Sequence, residues 1–136
     1  MSEADTLTDI AAFTASLECV AARCEDVVPP VYAALFEAYP EFEKLFVLDI
    51  DHGARGHMLN EALVMAEGLL AADPMAHNFV ASERMNHAGY GIDDEVFEGF
   101  YTVMAEVFRS LAGEAWTEPM SAAWKQVVSL AAEARF

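Results

Sequence analysis

The chain reads as all-α, a single domain over residues 1–136 made of about six main helices and one short helical turn around Pro40–Phe46. Three observations predict this. Apolar residues recur at three or four positions through most of the chain, the period that gives a helix one core-facing stripe. Helix punctuation is regular, with proline, aspartate or threonine ahead of most periodic segments and glycine behind two of them. No internal repeat, low-complexity tract or flexible linker interrupts the pattern, and no segment reads as a strand.

The first helix is predicted from Leu7 to about Arg23, with Leu7, Ile10, Phe13, Leu17 and Val20 on the inner face. Cys24-Glu25-Asp26 opens a second segment. Its Pro29 and Pro30 are tolerated in a first turn, where an amide has no intrahelical partner. Val31, Tyr32, Leu35, Phe36 and Tyr39 line its inside as far as Pro40. Pro40–Phe46 is a short proline-started turn of helix, and Asp49-Ile50-Asp51-His52-Gly53 a polar loop. A long helix follows from about Ala54 to Ala71, carrying Met58, Leu59, Ala62, Leu63, Ala66, Leu69 and Leu70 at helical spacing. Asp73 caps a helix from Pro74 to about Ala88 that stops at Gly89. Asp93 or Asp94 caps the next, from Glu95 to Leu111, with Val96, Phe97, Phe100, Met104, Val107 and Phe108 inside and Gly113 at its end. Thr117 caps the last helix, whose stripe is Met120, Trp124, Val127, Val128 and Ala131.

At 136 residues, 55% of them hydrophobic, the chain can bury a sizeable core without disulfides or a structural metal. No apolar run approaches the roughly 18 residues that cross a bilayer. The acidic start Met1-Ser2-Glu3-Ala4-Asp5 has no secretory pattern, so a cytoplasmic location is expected. The 23 acidic against 7 basic side chains leave a formal charge of −16, which repels phosphate backbones and anionic headgroups. Nucleic-acid and membrane binding are thereby disfavoured. Cys19 and Cys24 fit neither a redox pair nor a zinc site and read as buried or idle thiols.

The residue with most chemistry to offer is His87, in Arg84-Met85-Asn86-His87-Ala88-Gly89-Tyr90-Gly91-Ile92. A helix end presents its imidazole rigidly, and the glycine behind lets the chain turn away, an arrangement suited to a metal ligand facing a cavity. Tyr39-Pro40-Glu41-Phe42-Glu43-Lys44-Leu45-Phe46 resembles the globin signature, in which a proline starts a short third helix and a phenylalanine closes over the haem face. His87 lies 41 residues beyond Phe46, close to the interval between that phenylalanine and the proximal histidine of bacterial single-domain globins. Tyr32, 14 residues before Phe46, matches the slot of their distal tyrosine, and Ala123-Trp124 resembles their final helix. The similarity spans about Leu7 to Ala132.

The resemblance implies a globin fold holding haem b, with its iron on His87. The second ring nitrogen of His87 then needs an acceptor, either a carbonyl one turn back near Glu83 or the side chain of Asn86. Phe46 packs on the porphyrin, Ile92 and Phe97 form the proximal floor, and Tyr32 donates its phenolic hydrogen to the gas. Plain core packing is the competing account of Ile92 and Phe97. For Tyr32 it is a hydroxyl satisfied by a backbone carbonyl. At the distal-histidine slot the sequence departs from the familiar pattern, because Met58 takes it with Ala62 one turn on, and neither donates a hydrogen bond. The alternative register puts His57 there, but it carries the Glu61 carboxylate into the pocket. Met58 is also a candidate sixth iron ligand. Arg84, Arg55 and Tyr90 are candidates to hold the propionates, and His52 and His77 read as surface residues.

Three functions are compatible with this resemblance. The preferred one is a globin that reversibly binds a diatomic gas (oxygen, nitric oxide or carbon monoxide) for transport, storage or sensing. The second is a nitric oxide dioxygenase served by an external reductase, since the chain carries no dinucleotide-binding glycine fingerprint. The third is a haem-free globin-folded interaction or sensor module. Oligomeric state is not legible.

Overall fold

The computed structural model describes residues 3–136. The architecture is all-α: α1 (Glu3–Ala21), α2 (Val28–Ala38), a 3-10 helix (Pro40–Phe46), α3 (Gly53–Leu70), α4 (Pro74–Gly89), α5 (Asp94–Ala112), a 3-10 turn (Gly113–Ala115) and α6 (Glu118–Glu133). Among the described residues there is no strand. Each predicted helix is present, and the starts fall where local chemistry requires them. Asp73 accepts from the Met75 amide (3.0 Å), Asp93 from Val96 (3.1 Å) and Thr117 from Met120 (3.4 Å), satisfying donors that a helix start leaves bare. Asp93, not Asp94, is thus the cap of α5.

Two expectations need correction. Leu7, expected on the core stripe, is 60% exposed, and the buried residues of α1 are Phe13, Ser16 and Val20. The chain turns after α4 at Gly91 (φ +84°), the position that needs a left-handed backbone, so the helix includes Gly89.

The core is organised around α6, which packs against α1, α3 and α5. Trp124 is its centre, with Phe13 and Phe108 ring centroids at 5.1 and 5.5 Å. The indole N–H donates to Ser16 Oγ (2.9 Å), and the Ser16 hydroxyl donates to the Phe13 carbonyl (2.6 Å), so the buried polar atoms are paired. α3 and α4 cross at Gly68, where an added Cβ would stand 2.6 Å from the Ala76 methyl. This close crossing fixes α3 against α4. α2, the 3-10 helix, α3, α4 and α5 together enclose a cavity away from the Trp124 core.

Candidate functional site

The cavity has a volume of about 110 Å³ and walls that are mainly aromatic and aliphatic. α4 contributes His87 through its last turn, which the Asp73 cap and Pro74 start in register and the Gly91 turn ends. His87 Nδ1 lies 2.7 Å from the Glu83 carbonyl oxygen. A carbonyl only accepts, so Nδ1 carries a proton, and in the neutral imidazole the lone pair is on Nε2. The choice between Glu83 and Asn86 is therefore settled for the Glu83 carbonyl, while the Asn86 amide donates to Glu83 Oε1 (3.3 Å). The imidazole meets the Phe97 ring edge to face, centroids 5.1 Å apart.

On the other elements, Tyr32 of α2 packs its ring against Phe46 (5.6 Å), Phe36 (5.9 Å) and Phe100 (5.8 Å). Its hydroxyl donates to the Arg55 carbonyl (3.2 Å) at the start of α3. Burial pushes the phenol well above its ordinary range; the Arg55 charge eases this and Asp49 adds to it. Asp49 organises the same corner, accepting from the Ala54 and Arg55 amides (2.9 and 3.0 Å) and from the Arg55 guanidinium (3.2 Å). Burial raises the Asp49 carboxyl, but these hydrogen bonds and the Arg55 charge outweigh it, and the group stays below the ordinary carboxylate value. Arg55 also donates to the Phe46 carbonyl (3.2 Å) and lies 5.4 Å from the Phe46 ring centroid.

Tyr32, Phe46, Met58, Ala62, His87, Ile92 and Phe97, all expected from the sequence, line this one cavity. The α3 register puts Met58 in the wall. His57 is turned out, pairing Nε2 with Glu61 Oε1 at 3.1 Å, and their side chains are 70% and 42% exposed. Glu61 does reach the cavity edge, contrary to the argument against it, and is tolerated there because it is half in solvent and paired. Arg84 is not at the mouth. It is buried, with its donors on Ala131, Ala134 and Glu98, so it is not available to a propionate. Arg55 is committed to Asp49 and Phe46, and Tyr90 is 77% exposed outside the lining. The lining contains two carboxylates, Glu61 and Glu83, and no lysine or arginine among the described residues.

Sequence reading missed Met65, Phe79, Phe100 and Tyr101 as wall residues. Phe100 was placed on the inner stripe of its helix, but a period shows which face is buried, not where along that face a cavity opens. Tyr101 is pushed up to about 12 by burial, with Arg84 lowering and Glu83 raising it.

The family model described as Globin matches residues 30–134, from α2 through the end of α6. No curated protein matches the chain. No solved structure matches it either.

Proposed function

The chain belongs to the globin family, and from that premise we propose that it binds haem b through His87 and reversibly takes up a diatomic gas for transport, storage or sensing. Globins generally hold haem iron on a proximal histidine. One observation carries the reading for this chain: His87 lines an apolar cavity with Nδ1 already donating to the Glu83 carbonyl, which in the neutral imidazole leaves Nε2 as the nitrogen able to ligate a metal.

The residues fit the group in chemistry. The wall is apolar, the one nitrogen ligand is preoriented, and the polar groups that remain are two tyrosines and two carboxylates. A volume of about 110 Å³ is below the roughly 300–1,000 Å³ of small-molecule sites, so a macrocycle requires wall side chains to turn aside. Met58 and Met65 are unbranched thioethers suited to that adjustment.

Bound there, haem would supply an iron able to take up a diatomic gas. His87 would hold the iron, and Phe97 limits rotation of its ring. Phe46, Ile92 and Phe97 present flat or branched apolar surface to the macrocycle and keep water out. Tyr32 is the one wall residue on the α2 side that can donate a hydrogen bond, once its hydroxyl leaves the Arg55 carbonyl.

Visible spectra of the full chain titrated with haemin, in ferric, dithionite-reduced and carbon-monoxide-treated forms, test this. A Soret band that shifts with carbon monoxide, and is lost or altered in His87→Ala, is the expected result. A wild type that takes up no haemin would sink the proposal in favour of a haem-free interaction module. Oxygen-dependent nitric oxide consumption with an added reductase would reassign it as a dioxygenase.

A further inference from the structure

Arg84 is charged and buried yet absent from the cavity wall, so gas binding leaves it unexplained. A buried guanidinium is costly unless its charge is paired and its donors are met. Arg84 meets them from two other helices. Nε donates to the Ala134 carbonyl (3.2 Å) and Nη2 to the Ala131 carbonyl (2.6 Å), at the end of α6 where carbonyls run out of helical partners. Nη1 donates to Glu98 Oε1 of α5 (2.8 Å) and lies 3.3 Å from Asp94 Oδ1. Arg135 pairs with the same two carboxylates at 2.7 and 2.8 Å. The guanidinium is thus held by residues 47 and 50 positions further along the chain.

Its central carbon lies 5.2 Å from the Phe97 ring centroid, and inside the cavity that ring meets the His87 imidazole at 5.1 Å and the Tyr101 ring at 6.4 Å. Arg84 and His87 stand three residues apart on α4, one turn, so a single phenylalanine touches both. The bond to the Glu83 carbonyl fixes one nitrogen of the imidazole, and the Phe97 edge contact fixes the tilt of its plane. A free Phe97 could tilt; one backed by an immobile guanidinium cannot.

We propose that Arg84 is a positioning residue: anchored by the Ala131 and Ala134 carbonyls at the end of α6, it holds Phe97 against His87 and so sets the plane of the imidazole that keeps Nδ1 on the Glu83 carbonyl. The inference rests on His87 being the haem ligand for its functional meaning, but the positioning itself belongs to the chain alone.

The test uses full-length wild type, Arg84→Lys, Arg84→Met and Phe97→Leu. Imidazole ¹⁵N shifts of His87 are recorded without haemin. After haemin loading, the iron–histidine stretching band and the rate of haemin loss to a scavenger protein are measured. Lysine keeps the charge but has no planar fork to meet two carbonyls and lie on a ring, so it is not expected to rescue. Wild type should show one tautomer, protonated at Nδ1. The variants should populate the Nε2-protonated form, shift the stretching band and lose haemin about 10-fold faster or more. Folded variants with wild-type imidazole shifts and wild-type haemin loss would overturn the proposal, leaving Arg84 as a tie between helices. Should both Arg84 variants fail to fold, Phe97→Leu leaves the Arg84 hydrogen bonds in place and decides by the same readouts. A tautomer change in a protein that takes up no haemin would support the positioning and refute only the haem reading.

Discussion

The Tyr32 hydroxyl has one proton to donate and two acceptors that compete for it: the Arg55 carbonyl, which holds it in the structure, and the gas the cavity is proposed to take. The net gain for the gas is the difference between two hydrogen bonds. Tyr32→Phe should therefore weaken oxygen affinity by less than about tenfold, one neutral hydrogen bond being worth about 1 kcal/mol, as laser-flash rebinding and oxygen titration would show. Glu61 makes a second prediction. It is a carboxylate at the edge of a cavity whose expected occupant carries two propionates, and its 3.1 Å partner is the His57 imidazole rather than a lysine or arginine. Glu61→Gln should tighten haemin binding severalfold in a direct titration, while unchanged or weaker binding would place the propionates elsewhere. At this scale the sequence was informative about His87, Phe46 and Tyr32, because their intervals along the chain, with the proline-started turn at Pro40, place all three in the wall of one cavity. It misled about Arg84. A cation one turn from a ligand reads as a residue of the rim, and no local signal announces that the carbonyls of Ala131 and Ala134 arrive to meet it.

Helix starts were readable because capping is a local matter: Asp73, Asp93 and Thr117 each satisfy an amide two or three residues ahead. Ends and crossings were less so. The turn at Gly91 and the 3-10 turn Gly113–Ala115 depend on how the following helix is approached, which a window of sequence does not contain. The α3–α4 crossing is the clearest case, since Gly68 looks like a mere defect in a helical run until Ala76 is seen against it. Gly68→Ala would gain helix propensity of about 1 kcal/mol in isolation. Here the new methyl meets Ala76 at 2.6 Å, a contact between short side chains that cannot rotate away. Overpacking of this kind costs about 1–3 kcal/mol, so the variant should be net destabilised in urea unfolding, and a stabilised variant would mean that the helices separate freely.

Taken as a whole, the molecule should lose stability at both ends of the pH scale, for opposite reasons. Asp94 is held below its ordinary value, chiefly by its hydrogen bond from Arg135 and then by that from Arg84, and Asp49 is also low. Carboxyls depressed in the folded state contribute stability that is complete above about pH 4 and disappears as pH falls through their folded values. Tyr32 and Tyr101 are raised, Tyr101 from 10.0 to about 12. Between those values the unfolded chain binds fewer protons than the folded one, so stability falls as pH climbs from 10 towards 12. Thermal midpoints across this range should show the alkaline decline, and Tyr101→Phe should remove part of its slope. The contrast between the fixed α3–α4 crossing and the neighbouring Pro40–Phe46 helix has a further consequence. That 3-10 helix buries none of its seven residues fully, yet it supplies Phe42, Leu45 and Phe46 to the cavity wall. Segments with so little buried contact open at a small fraction of the free energy of global unfolding. Residence time of the proposed occupant should then be a kinetic property of this short stretch, and a variant with an unchanged melting temperature should be able to trade it at a very different rate.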